Sequence, residues 1–450
     1  MFCRLESLVA VMSDMAKTTL IKLALLISCV MLLVSCDRSG RIKTTPPSKT
    51  IDFSKMKPIK VKFYLERSGS MTPFDAKSTK GDFKSAISML LNNIPGNNDP
   101  SNLLYVVNDA VYSYDRTYKD FIQSKNIFAD TKSLGDPRYT DFTCIFDSIL
   151  SRTNDNELSI LVSDLIYSTK DMIGVTGQKV LNEANLLTRS VFKGHTDKMV
   201  LVIKMNGDYD GPYYTFQSPN KGLMYKGERP YYFVFVAKPK VMQRIFLDPR
   251  YKDLINFNDL QGYENYYCFS SKDKAVDYSV LLSNKRNRGR VGAVKGQTII
   301  HEIEKIKPDR DDNIVFTIAA DLSEIIVPDN VLLNSKNYEV SSISGFKIQS
   351  IEPIPDTERD EKLRAIPNAT HFITLATKEK ITYEQLTIKL KNELPKWIES
   401  SNTDDDTNIN SSTFATTTFA FKYLMNGIYE AYYGTSEDPY YFTMTITINK

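Results

Sequence analysis

Ile59-Lys60-Val61-Lys62-Phe63-Tyr64-Leu65, followed at once by Glu66-Arg67-Ser68-Gly69-Ser70-Met71, is the stretch on which the fold turns. A strand-like run ends in a carboxylate and then in small hydroxyl residues. Working outward, Phe83 to Leu91 carries apolar residues at helical spacing (Phe83, Ala86, Ile87, Leu90, Leu91). Asn102–Val107 and Val111–Tyr114 read as strands joined across Asn108-Asp109, a hairpin turn. Cys144–Leu150 reads as a helix, and Leu158-Ser159-Ile160-Leu161-Val162-Ser163 as a buried strand running into Asp164. Gln178–Val191 is helical, Met199–Met205 and Tyr231–Val236 are strand-like, and Val241–Leu247 is helical again. Strands alternating with helices predict a doubly wound α/β domain over residues 58–265. Ligands of such a sheet bind at the carboxyl ends of its strands.

Those ends hold Glu66, Ser68, Ser70 and Asp164, with Tyr139-Thr140-Asp141-Phe142-Thr143 between them just before a helix. Carboxylates and hydroxyls on three loops at one sheet edge form a hard-oxygen set suited to Mg²⁺, or to Mn²⁺ or Ca²⁺. The segment resembles a von Willebrand factor type A (VWA) domain, a Rossmann-like fold. That family carries a metal-ion-dependent adhesion site written Asp-x-Ser-x-Ser, then Thr, then Asp. Ser68 and Ser70 match the serines, and Leu161-Val162-Ser163-Asp164 matches the last strand and its aspartate. Thr140 is the better match for the threonine, with Thr143 as the alternative. Two departures stand out: Glu66 replaces the family's first aspartate, and Leu165 replaces the glycine that commonly follows the last one. Arg67 reads as a solvated side chain, or as a partner for Glu66 when no metal is bound.

The resemblance implies recognition rather than turnover: a protein partner offers a carboxylate to the open metal position, and the rim loops select the partner. A structural subunit of an envelope assembly with a vestigial metal site is the alternative. A hydrolase using Asp164 or Glu66 with a metal is weakly supported, because no nucleophile or general base accompanies them. The three histidines, His195, His301 and His371, lack metal spacing.

After about residue 265 the alternation fades. Asn313–Ile318 is strand-like, and Thr382–Leu390 (Leu386, Ile388, Leu390) and the end of the chain (Phe442, Met444, Ile446, Ile448) alternate apolar and polar residues. Period-2 patterning predicts a β-rich, sandwich-like region over 266–450, of one or two modules with a boundary near 365. Phe419–Tyr433 has helical spacing and reads as a helix packed on a sheet. Asn206-Gly207-Asp208-Tyr209-Asp210-Gly211-Pro212 reads as a hairpin or insertion turn, with Tyr213–Phe216 following as a strand. Lys285–Arg290 reads as a solvated linker and Asp404-Asp405-Asp406 as a mobile loop tip.

The N-terminus is of another kind. Lys17 and Lys22 flank the start of an apolar run from Ile21 to Val34, too short for a comfortable membrane span. Leu33-Val34-Ser35-Cys36 resembles the bacterial lipobox. Residues 1–35 are therefore expected to be a signal peptide and Cys36 the lipidated residue. Residues 36–57, rich in Ser, Thr, Lys and Pro at first, form a flexible tether. An uncleaved anchor helix is the alternative. The resemblance implies a bacterial cell-envelope lipoprotein, held by N-terminal lipid to the inner or outer membrane.

Composition bounds the rest. Apolar content of 42% and charged content of 25% are ordinary globular values. A net charge of +3 does not suit a polyanion binder, and export makes nucleic acid an unexpected partner. Of the five cysteines only Cys144 and Cys268 lie beyond Cys36, too few for a disulfide framework. The 26 tyrosines and 23 phenylalanines suit binding surfaces as well as cores.

Overall fold

The computed structural model describes residues 52–138, 140–167, 174–218, 220–270, 274–359, 363–434 and 439–449. The predicted leader, Cys36, most of the tether and Tyr139 lie outside the described residues. No described helix is long and apolar enough to cross a membrane.

The chain is mixed α/β, built on a seven-stranded sheet with further β-sheets. β1 (Lys60–Glu66) pairs in parallel with β2 (Leu103–Val107) on one side and with β4 (Glu157–Ser163) on the other. β3 (Val111–Tyr114) closes one edge as the antiparallel arm of a hairpin with β2. Every residue of β1 from Val61 onward and of β4 from Leu158 onward is buried. Successive side chains point to opposite faces of a sheet, so both faces here are covered. The amphipathic helices α1 (Asp82–Asn92), α2 (Phe142–Arg152), α3 (Gly177–Lys193) and α4 (Pro239–Leu247) turn their apolar stripes into the same core.

The other half of this sheet departs from a doubly wound pattern. β5 (Met199–Tyr213) follows α3, but the next strand, β6 (Leu223–Ala237), folds back and takes the place beside β4. β6 runs antiparallel to both β4 and β5, and β7 (Tyr263–Phe269) closes the sheet antiparallel to β5. The order is β3-β2-β1-β4-β6-β5-β7. Only its β2-β1-β4 part is a run of parallel neighbours.

The expected turn at Asn206–Pro212 is not one. β5 continues through it, paired residue by residue from Met199↔Ala237 to Tyr213↔Leu223. Gly207, Tyr209, Gly211 and Tyr213 alternate inward, while Asn206, Asp208, Asp210 and Pro212 are less buried. The glycines serve close packing. A Cβ on Gly211 would come within 2.9 Å of Pro73 Cγ, and one on Gly207 within 3.1 Å of Tyr231 Cε1. β7 pairs only with the first part of β5, which leaves Pro212 on a free edge, where a missing N–H is tolerated.

Two sheets then share a second core. One has the order β12-β15-β18-β10-β9: β9 (Arg290–Ala293), β10 (Glu302–Lys307), β12 (Tyr338–Ser341), β15 (Glu384–Lys391) and β18 (Tyr440–Ile448). The other has the order β13-β14-β11-β8: β8 (Tyr278–Leu281), β11 (Ile314–Ala320), β13 (Lys347–Pro353) and β14 (His371–Thr377). Leu386, Ile388, Leu390, Phe442, Met444 and Ile446 from the first meet Phe316, Ile318, Ile373 and Leu375 from the second. The stretch between β15 and β18 returns to the first core. There α5 (Phe421–Tyr433) packs along α3, beside the two-strand pairing of β16 (Asn402–Thr403) and β17 (Thr418–Phe419).

Two further expectations are refined. In the Lys285–Arg290 run, Arg286 pairs with Glu352 at 2.9 Å and Glu358 at 2.8 Å, and Lys285 with Glu358 at 2.8 Å. Arg286 and Lys285 thus fasten the run to the sandwich, while Lys285, Arg288, Gly289 and Arg290 are exposed as expected. Asp406 is not at a loop tip but is 1% exposed. Cys144 and Cys268 are both free thiols.

Candidate functional site

Parallel pairing of β1 with β4 brings their carboxyl ends to one edge. Leu65 lies opposite Val162, so the next residues, Glu66 and Ser163, leave the sheet side by side. The loop before α2 is fixed by the helix itself, since Asp141 caps it by accepting from the Cys144 amide at 3.0 Å. Backbone bonds stitch the loops together: Arg67 N to Val107 O (2.9 Å), Gly69 N to Pro137 O (2.9 Å) and Asp141 N to Asn108 O (3.1 Å).

All five residues singled out from the sequence meet at this edge. Thr140 Oγ1 donates to Glu66 Oε1 at 2.8 Å, and Ser163 Oγ donates to Glu66 Oε2. Ser163 Oγ in turn accepts from the Leu165 amide at 2.8 Å. Ser68 and Ser70 hydroxyls lie 3.0 Å apart. Asp164 Oδ1 accepts from the Ile166 amide at 3.1 Å, while Oδ2 is buried and has no hydrogen-bond partner among the described residues. Leu165 adopts φ +52°, a conformation a side chain rarely takes. Thr143 sits half-buried in the first turn of α2, so it is Thr140 that holds Glu66.

The electrostatics are those of two carboxylates sharing a dry site. Glu66 and Asp164 are 1% and 2% exposed. Burial, and then the neighbouring Asp164 carboxylate, push the Glu66 carboxyl up to about 8, against the pull of the Ser163, Thr140 and Ser68 hydroxyls. Burial also raises Asp164, opposed by the Ser70 hydroxyl, the Ile166 amide and the charge of Arg229. Arg67 is neither solvated nor paired with Glu66. It is 7% exposed, reaches Leu134 O with Nη1 at 3.4 Å, and its Nε has no partner among the described residues.

Above the carboxylates lies an open pocket of about 310 Å³. Ser68, Gly69, Ser70 and Thr140 line it, with Pro137, Arg138 and Ile166 beside them and Tyr214 and Asn220 from the β5–β6 turn. No group of three or more His, Cys, Asp or Glu gathers among the described residues, so a cation here would rest on a mixed carboxylate and hydroxyl set. Asp164 Oδ2 fits that chemistry: it is a buried carboxylate oxygen without a hydrogen-bond partner among the described residues, and a hard cation would satisfy it.

The sequence reading missed Ser163 and Tyr214. Ser163 carried a local signal, a hydroxyl inside an otherwise apolar strand end, which needs a buried partner. Tyr214 carried none, because its place depends on where a long hairpin turns. Comparison with known proteins finds no matching family model, no matching curated sequence and no matching solved structure.

Proposed function

We propose that this is a lipid-anchored envelope protein that binds a protein partner through a VWA-like domain carrying a variant metal-ion-dependent adhesion site. Ser68, Ser70, Thr140 and Asp164 would hold Mg²⁺ or Mn²⁺, and Glu66 would support it from behind. The observation that carries this reading is the buried Asp164 Oδ2, without a hydrogen-bond partner among the described residues, in a carboxylate that neighbours Ser70 in the lining of a pocket shared with Ser68 and Thr140. Because Thr140 spends its proton on Glu66, its oxygen lone pairs are left for a cation. Glu66 then acts as the carboxylate that orients a ligand rather than as the ligand itself. When bound, the cation would supply an open position for a partner's carboxylate. The chain's own groups hold it, keep water from the two carboxylates and shape the rim. We read the protein as a binding protein, not an enzyme.

A second reading, a structural subunit with a vestigial site, is favoured by one feature. Both Glu66 oxygens already have hydroxyl partners; a neutral Glu66 can donate to Thr140 Oγ1 and accept from Ser163 Oγ, which closes the network without metal. Calorimetry separates the two. Mg²⁺ or Mn²⁺ is titrated into the mature chain and into a Ser68→Ala, Ser70→Ala, Asp164→Ala triple variant. Binding by the wild type that disappears in the variant supports the adhesion-site reading. A folded wild type that takes up neither ion sinks it.

A further inference from the structure

The pocket is larger than its floor requires. On the measure that gives one water roughly 10–15 Å³, the pocket's volume of about 310 Å³ leaves room beyond a cation and one carboxylate. The remaining space is bounded by an aromatic ring brought from far along the chain. Tyr214 opens the turn between β5 and β6, and its half-buried ring lies on the Gly69 backbone between the two site serines. A Cβ on Gly69 would come within 2.8 Å of Tyr214 Cε2, and one on Gly222 within 3.3 Å of Tyr214 Cε1. Two glycines thus let the ring lie down beside the floor.

The turn that carries it is fastened on both sides. Asp406, nearly two hundred residues later, accepts from the Tyr213 hydroxyl at 2.8 Å and from the Phe216 amide at 3.2 Å. Phe216 stacks on Phe419 with ring centroids 4.7 Å apart and planes 1° from parallel. The Arg229 guanidinium lies over both Tyr213 (4.7 Å) and Phe414 (4.0 Å). A wall held this way is in place before a ligand arrives, so little ordering cost remains at binding.

We propose that Tyr214 is a specificity-determining residue, and that the site prefers an acidic side chain neighboured by an aromatic one in a protein segment. The carboxylate reaches the Ser68–Ser70–Thr140 floor while the aromatic group packs on Tyr214, with Ile166 and Pro137 completing the apolar lining. This inference rests on the cation-dependent reading above.

Ligand-observed NMR with the Mg²⁺-loaded mature chain tests it, using acetyl-Asp-Phe-amide and acetyl-Phe-Asp-amide against acetyl-Asp-Ala-amide. At least one aromatic dipeptide is expected to bind roughly three- to ten-fold more tightly, the range of one aromatic pair. That preference should fall toward parity in both Tyr214→Ala and Tyr214→Leu. Equal binding of all three dipeptides to the wild type, or a preference that survives in both variants, overturns the role of Tyr214 and leaves the cation site standing. Absence of Mg²⁺-dependent binding for every dipeptide overturns the underlying reading and this inference together.

Discussion

Replacing Glu66 with glutamine should stabilise the cation-free protein at alkaline pH, although it alters the most buried acid of the site. Burial and the Asp164 carboxylate raise the Glu66 carboxyl from 4.5 to about 8. Between those values the folded state holds a proton that the unfolded state has released. The associated stability is therefore complete below 4.5 and is lost as pH climbs through about 8. At about 1.4 kcal/mol per pH unit for one proton, the loss across that window is on the order of 4–5 kcal/mol. Glutamine has no proton to give up and fits the same hydrogen bonds. Ser163 Oγ accepts from the Leu165 amide and still donates to the amide oxygen. Thr140 Oγ1 reverses and accepts from the amide nitrogen.

The assay is thermal unfolding of wild type and Glu66→Gln in chelator at pH 5.5 and pH 8.5. Because Glu66 and Asp164 titrate together, the variant's advantage over wild type reports the proton shared by the pair. The advantage should be small at pH 5.5 and approach the full amount at pH 8.5. With about 2.1 cal/mol/K of unfolding entropy per residue over a chain of this size, that is roughly 5 °C in Tm. An advantage that does not grow between the two pH values would refute the reasoning. It would mean that the fold already accommodates Glu66 as an anion.

Two other perturbations probe how the site is held. Asp406→Ala strips the acceptor from the buried Tyr213 hydroxyl and the Phe216 amide, which should cost ~1–3 kcal/mol. Burial raises Asp406 from 3.8 to about 6, so its stabilising share is lost as pH rises through about 6. The penalty in thermal melts should consequently be larger at pH 5 than at pH 7.5, and an equal penalty at both would contradict the assignment. Gly427→Ala adds a Cβ 2.5 Å from Asn185 O and 3.0 Å from Thr188 Cβ, where α5 crosses α3. Overpacking should cost ~1–3 kcal/mol in urea unfolding, outweighing the ~1 kcal/mol that alanine gains in a free helix. A stabilised variant would show that the helices do not approach this closely.

The site was legible because its residues sit where local pattern and topology agree. β1 and β4 are largely apolar strands that each run into a carboxylate, and their parallel pairing brings Glu66 and Asp164 to one edge. The order of the remaining strands was not legible, since an all-buried run such as Tyr231–Val236 of β6 encodes its burial but not its neighbour. β6 sits between β4 and β5 because the β5–β6 hairpin folds back, and nothing in Tyr231–Val236 distinguishes that from the alternative. Gly207 and Gly211 misled for a related reason. Glycine beside aspartate reads as a turn, yet here it makes room for Tyr231 and Pro73 across the packing, contacts that exist only once the chain has folded. Asp406 repeats the lesson on the polar side. Its neighbours Asp404 and Asp405 are exposed, as an acidic loop predicts, and only Asp406 turns inward, toward hydroxyl and amide donors on the β5–β6 turn. Local chemistry therefore located the floor of the pocket, built from residues at strand ends. Its aromatic wall rests on a contact between residues 213–216 and 406 that no window of sequence contains.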